Sequence, residues 1–377
     1  MFRFVFFNFA AMQASLHLDS ISLVQFKNYT TSKFNFTNRI TALCGPNGAG
    51  KTNILDAIYY LCLTRSYFGK TDSSSVCFGY QGFRVDGQFN HSGEMFNTSC
   101  ILRETGKKEI QLNGVPYNKF SSHIGKFPVV MVAPDDVQLI TGGSEDRRKF
   151  IDTIISQLDA SYLQQLIIYN KLLQSRNSLL KQFAEQGKRD YSLLEVIENQ
   201  MISPSEIIYA TRKKFLETYI ASAKEMYKMI AETDEGIQIE YISQLHSTPL
   251  YQLFQTNREK DFYSLRTSAG IHKDELEFRL GEHLWRQIAS QGQRKSLLFA
   301  LKLAEFNMLL SHNHFPPLLL LDDIFEKLDE KRMYNLLSWA CVQNNGQVFL
   351  TDTHFSRLND ALTTLSVDFS IHSLEIN

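Results

Sequence analysis

The sequence has no surplus of charge of either sign: Lys+Arg is 39 against Asp+Glu 40 across 377 residues. A chain that binds nucleic acid through its overall field is strongly basic, so any DNA contact here must come from a local patch. Metal-type cysteine spacing is also missing. The five cysteines, at positions 44, 62, 77, 100 and 341, form no C-x-x-C pair and have no matching histidines. That excludes a zinc ribbon and fits free thiols in a reducing cytosol, so a cytoplasmic protein is expected. Long apolar runs are lacking too. Phe2, Phe4, Val5, Phe6, Phe7 and Phe9 stand behind a lone Arg3, but the run is shorter than the roughly 18 residues of a membrane helix and no cleavage pattern follows. It is expected to be a non-native start upstream of Met12, with no membrane partner.

Glycine and proline are scarce in one stretch, with only Gly187 and Pro204 between Glu145 and Glu232. Apolar residues there recur at helical spacing, as in Ile151, Ile154, Ile155 and Leu158. The spacing predicts two long helices turning back near Gln186-Gly187-Lys188. Before this stretch the pattern is strand-like. Short runs at Leu16–Leu18, Ile21–Leu23, Phe34–Phe36 and Ile40–Leu43 lead to a helix over Asn53–Leu63, then strands at Phe83–Val85, Ile110–Leu112 and Val129–Val132. Strands resume after Gly236, followed by a helix over Gln291–Leu310, a strand at Leu318–Leu321, a helix over Glu330–Val342 and a strand at Val348–Leu350. One α/β domain interrupted by a helical insertion is expected, with an N-terminal part over 12–145, a helical arm over 146–265 and a C-terminal part over 266–377.

Chemistry is concentrated in Gly45-Pro46-Asn47-Gly48-Ala49-Gly50-Lys51-Thr52, a full match to G-x-x-x-x-G-K-[ST] set between a strand and a helix. Gly48 and Gly50 let backbone N–H groups turn toward phosphates, and the helix N-terminus favours negative charge. Lys51 is expected on the β and γ phosphates and the Thr52 hydroxyl on Mg²⁺. A P-loop requires a second element, an apolar strand ending in an acid. Leu318-Leu319-Leu320-Leu321-Asp322-Asp323 supplies it, with Asp322 expected on Mg²⁺ and Asp323 as the group that polarises the attacking water. Taken alone, the same residues also read as a strand followed by a helix cap.

Ser290-Gln291-Gly292-Gln293 precedes a helix and the acid strand, and resembles the signature motif of ABC-type ATPases. Ser290, Gly292 and Gln293 are then expected to meet nucleotide, although a plain N-cap is the alternative. Leu328-Asp329 resembles the D-loop of that class, which puts Asp329 at the nucleotide as well. Thr351-Asp352-Thr353 closes a strand where many ABC ATPases carry a switch histidine; Asp352 and His354 are both candidates. Asp323 replaces the usual glutamate and is one methylene shorter, so slow hydrolysis is expected.

Within that class, Phe26-Lys27-Asn28-Tyr29, Pro134-Asp135-Asp136, Arg147-Arg148-Lys149-Phe150-Ile151-Asp152 and Gly270-Ile271-His272-Lys273-Asp274-Glu275-Leu276 resemble patterns of the RecF family of bacterial DNA replication and repair proteins. The insertion of about 90 residues is too short for the heptad-rich arms of chromosome-organising relatives. The resemblance implies an ABC-type P-loop ATPase head, a mixed sheet with helices, interrupted by a short helical arm. It further implies ATP and Mg²⁺ as cofactors, a homodimer formed on ATP, weak DNA-stimulated hydrolysis, and binding of single-stranded or gapped double-stranded DNA. RecO and RecR are the implied partners in recombinase loading, in repair, replication restart and the SOS response. Arg147, Arg148, Lys149, Arg212, Lys213 and Lys214 are candidate phosphate contacts, or else merely a solvated helix face. An ATP-binding clamp or scaffold without significant turnover, and an ABC-type ATPase subunit of another system, are the competing readings.

Overall fold

In the computed structural model, residues 14–187, 189–324 and 329–375 are described. The expectations for residues 1–11, Lys188 and Leu328 lie outside them. Two compact units emerge, one running up to Pro134 and again from Phe306 onward, the other Asp135–Glu305. The second unit thus begins before the expected boundary at 145 and ends well after 265. The reason is packing: the strands Ile237–Ile242 and Glu275–Leu280 pair with each other, and Tyr219 in the long helix donates to the Leu301 carbonyl at 2.9 Å.

The first unit is built on a parallel five-stranded sheet in the order Phe369–Ser373, Ile40–Cys44, Val348–Asp352, Leu318–Leu321, Val129–Val132. Leu318–Leu321 and Val129–Val132 are buried at every position, as parallel strands covered on both faces must be. A second sheet of six antiparallel strands includes Leu16–Phe26, Tyr29–Asn35, Phe83–His91 and Glu94–Leu102. The two apolar runs at its start are one strand with a bulge between Leu18 and Ser20.

Between the sheets lies the helix Lys51–Leu63, whose Ile54, Leu55, Ala57, Ile58, Tyr60 and Leu61 are fully buried. They share one apolar core with Leu16, Ile21, Val85 and Phe89 of one sheet and Leu318, Leu320 and Phe349 of the other. Burial of each leucine or isoleucine among them is worth about 1.5–3 kcal/mol, so the helix bearing the glycine loop is anchored on all sides.

The second unit contains the helices Ser144–Leu158, Ala160–Gln186, Tyr191–Ala231 and Leu250–Ser264. The expected reversal is present. Asp159 caps the second helix through the N–H groups of Ser161 and Tyr162, and Gly187 ends it in the left-handed region at φ 63°. The helix Leu250–Ser264 was not expected from the apolar spacing. Among the described residues no helix is long and apolar enough to cross a membrane.

Candidate nucleotide-binding site

The strand Ile40–Cys44 delivers Gly45, and the loop closes into the helix at Gly50. Gly48 and Gly50 have φ of 88° and 99°, the left-handed region that β-carbons disfavour. At Gly50 the space is also filled: an added β-carbon would stand 2.5 Å from Tyr29 Oη and 2.6 Å from the Asn28 side chain. Loop and hairpin turn are therefore held together. Tyr29 Oη donates to the Ala49 carbonyl at 3.3 Å, and Asn53 Nδ2 donates to Asn28 Oδ1 at 2.7 Å. Lys27 pairs with the fully buried Asp56 at 2.5 Å, and Asp56 also accepts from Ser66 Oγ and the Tyr67 N–H. Lys27-Asn28-Tyr29, noticed in the sequence only as a family pattern, is a brace behind the glycine loop.

Lys51 is buried, and its ammonium donates to the carbonyls of Gly45 at 2.5 Å and Pro46 at 3.0 Å. The cation therefore sits over the start of the loop. Thr52 Oγ1 donates toward both carboxylate oxygens of Asp322 at 3.0 Å. Residues 270 positions apart meet here, because Leu318–Leu321 runs parallel beside Val348–Asp352, which in turn pairs with Ile40–Cys44.

Thr351 is a further member of the site, with no role expected of it. Its Oγ1 donates to Asp322 Oδ1 at 2.7 Å and accepts from the Asp323 N–H at 2.8 Å, fixing both acids at once. Only its place at a strand end hinted at this. Burial pushes the Asp322 carboxyl above the ordinary carboxylate range; the hydrogen bonds from Thr351 and Thr52 oppose the shift and the Asp323 charge adds to it. A buried carboxylate facing a threonine hydroxyl is a donor set that suits a hard, oxygen-preferring cation, which would also relieve the cost of its charge. Asp323 itself has φ 46°, an uncommon conformation that aspartate tolerates better than bulkier residues.

Ser290 behaves as a helix cap within this chain. Gln293 N–H donates to Ser290 Oγ at 3.2 Å and Ser290 N–H donates to Gln293 Oε1 at 2.8 Å, a reciprocal capping box. Gln293 Nε2 also reaches Glu235 at 2.8 Å. Asp329 is likewise an N-cap, accepting from the Arg332 N–H at 3.0 Å. Gln291 and Ser290 are exposed, so capping leaves that loop accessible.

Three of the candidate phosphate contacts are internal anchors instead. Arg147 is buried and grips Glu275 through Nε at 2.6 Å and Nη2 at 2.8 Å. Arg148 donates to the Asp274 carbonyl at 2.6 Å, and Arg212 is buried against Asp152 and Asp274. The two sequence patterns around Arg147 and Asp274 thus meet in one ionic network. Desolvation drives that outcome, because a buried guanidinium is tolerable only when its donors are satisfied. Lys149, Lys213 and Lys214 are exposed.

The RecF/RecN/SMC N terminal domain family matches residues 17–372. A DNA replication and repair protein RecF of Flavobacterium johnsoniae is 39% identical over 95% of this chain and 100% of its own length. That of Parabacteroides distasonis is 40% identical, covering 95% and 97%. Among solved structures, a recombination mediator protein RecF with ATP, from the RecFOR pathway, superposes with TM-score 0.84 at 28% identity over 91% of this chain and 94% of that one. An Smc head domain from Pyrococcus furiosus, 18% identical with TM-score 0.54 over 96% of this chain and 94% of its own, shares the fold. The α/β ATPase head with a short helical insertion is therefore the fold of this chain.

Proposed function

We infer the function of this chain from its family and its site together: it belongs to the RecF family of DNA replication and repair proteins, and we propose that it binds ATP and Mg²⁺ as a repair protein of that kind. The observation that carries the reading is the meeting of Lys51, Thr52, Asp322 and Thr351 around the glycine loop. Gly45, Pro46, Asn47, Gly48, Ala49 and Gly50 would cradle the phosphates through backbone N–H groups, and Lys51 would exchange its loop carbonyls for phosphate oxygens. Thr52 and Asp322 would hold Mg²⁺, which supplies charge neutralisation at the phosphates. Asp323 would orient the attacking water, slowly, given its short side chain.

Ser290, Gly292 and Gln293 of a second copy, with Asp329, would complete the site in an ATP-dependent homodimer. The dimer would bind single-stranded or gapped DNA and, with RecO and RecR, promote recombinase loading in a cytoplasmic setting that suits five free, buried cysteines. In such a two-fold arrangement the accessible Ser290 of one copy would face the glycine loop of the other. DNA binding should require ATP and weaken with salt, since each phosphate contact releases counterions. Fluorescence anisotropy on gapped DNA across a salt series tests this; salt-insensitive binding, or equal binding without nucleotide, would contradict the DNA-repair part of the reading.

A further inference from the structure

The loop Ser290–Gln293 is held from outside by the foot of the long helix Tyr191–Ala231. Glu235 follows that helix, just ahead of the strand Ile237–Ile242. One of its carboxylate oxygens, Oε2, accepts from Tyr227 Oη at 2.6 Å and from Gln293 Nε2 at 2.8 Å. Tyr227 is buried near the end of the helix and meets the fully buried Trp285 edge to face, with ring centres 6.1 Å apart. Trp285 opens the short helix Trp285–Ile288, just before Ser290. Tyr227 thus touches the approach to the loop through its ring, and the loop itself through Glu235.

This bonding fixes which way the Gln293 amide faces. Its oxygen can only accept and its nitrogen only donate. Oε1 takes the Ser290 N–H at 2.8 Å, and Nε2 is committed to Glu235. Ser290 Oγ in turn accepts from the Gln293 N–H at 3.2 Å. A hydroxyl that accepts keeps its own proton to give, and Ser290 is exposed. A capping box needs the Gln293 amide only on the side of Ser290; a carboxylate on its far side is more than a cap requires.

We propose that Glu235, anchored by Tyr227, is a positioning residue: it locks the Gln293 amide and so presents the Ser290 hydroxyl as a donor to nucleotide held in the glycine loop of a second copy. The assignment rests on the two-fold reading above and adds the residues that set the geometry of the loop from within its own chain. Glu235 acts only through Gln293, so the ATP affinity of its own chain should not depend on it.

The test compares the full wild-type chain with Glu235→Ala, Glu235→Gln and Tyr227→Phe. It reads ATP affinity in dilute protein, ATP-dependent dimer formation by sedimentation velocity, ATP turnover and melting temperature. Glu235→Ala should keep wild-type ATP affinity and weaken dimer formation and turnover about tenfold or more, the size expected for a lost hydrogen bond to a charged group. Glu235→Gln still offers an oxygen to both donors and should recover most of that loss. Tyr227→Phe keeps the ring on Trp285 and should fall between them. Mixing Glu235→Ala with Lys51→Ala separates positioning from a merely structural role. At one of its two sites the mixed dimer pairs the intact glycine loop of one chain with the intact Ser290–Gln293 of the other, so the mixture should turn over ATP faster than either variant alone. Wild-type dimerisation and turnover by Glu235→Ala, a loss that Glu235→Gln does not relieve, or a mixture no faster than its components would overturn the assignment. Wild type that binds ATP but stays monomeric would instead overturn the two-fold reading beneath it.

Discussion

Lys51 opens the helix after the glycine loop and Asp323 follows the strand Leu318–Leu321, and the two should fail differently. Lys51→Ala removes a charge-assisted contact worth on the order of 1.5–3 kcal/mol and should weaken ATP binding about tenfold or more. Asp323→Asn keeps the size and the φ of 46° but loses the charge, so binding should persist while hydrolysis falls and the ATP-bound dimer lives longer. Calorimetric titration beside a steady-state phosphate assay separates them. Equal hydrolysis by Asp323→Asn and wild type would remove Asp323 as the water-polarising group. The neighbouring alternative, Glu326, lies outside the described residues. At this scale the sequence was legible where a motif is local, as in Gly45 to Thr52. It was blind to contacts that no motif marks, such as Thr351 with Asp322 or Arg357 with Asp352, whose geometry exists only after the strands align.

Among the elements, the strands and helices with strong periodicity came through in the sequence: Leu318–Leu321 has the expected bounds, and the reversal at Gly187 is a left-handed cap. The helix Leu250–Ser264 did not come through. It buries only Leu250, Phe254, Asp261 and Phe262, too few apolar positions for a periodic signal, and one of the four is charged. Asp261 is there because Arg176, itself fully buried, donates to it at 2.7 Å, to Glu198 at 2.7 Å and to Thr267 Oγ1 at 2.9 Å. That network ties three helices together and is invisible to hydrophobic patterning. Arg176→Leu would leave the fully buried Asp261 with no cation and only its bonds from Ser268, while Glu198 keeps Arg258, so a loss of about 3–5 kcal/mol is expected. Urea unfolding followed by circular dichroism measures it, and an unchanged midpoint would mean that the network contributes nothing net.

For the whole molecule, acid sensitivity follows from buried histidines. Burial lowers His123 and His272 from 6.5 to about 4; His123 keeps Nε2 on the Leu61 carbonyl at 2.7 Å, and His272 lies between Tyr169 Oη and the Thr267 carbonyl. The unfolded chain binds these protons first. Stability from them is complete above the unfolded value and is lost as pH falls from about 6.5 to 4, on the order of 3 kcal/mol for each. Glu305 runs the other way. Its burial raises it to about 7, so its cost is relieved as pH falls and it partly offsets His272 within the same unit. The unit carrying His123 and the glycine loop should therefore be the more acid-labile. His123→Gln should flatten the fall in its melting temperature across that window, and an unchanged acid profile would show that His123 is not buried neutral.

ATP-dependent self-association separates a two-fold ATPase clamp from every P-loop protein that works alone. Sedimentation velocity of wild type and Ser290→Arg, each without nucleotide, with ADP and with ATP and Mg²⁺, reads it directly. Wild type should be a monomer except with ATP and Mg²⁺, where it should become a dimer; Ser290→Arg should bind ATP and stay monomeric. A wild-type mass that ignores ATP, or a Ser290→Arg protein that dimerises as wild type does, would reduce Ser290 to its capping box and contradict the ATP-driven clamp.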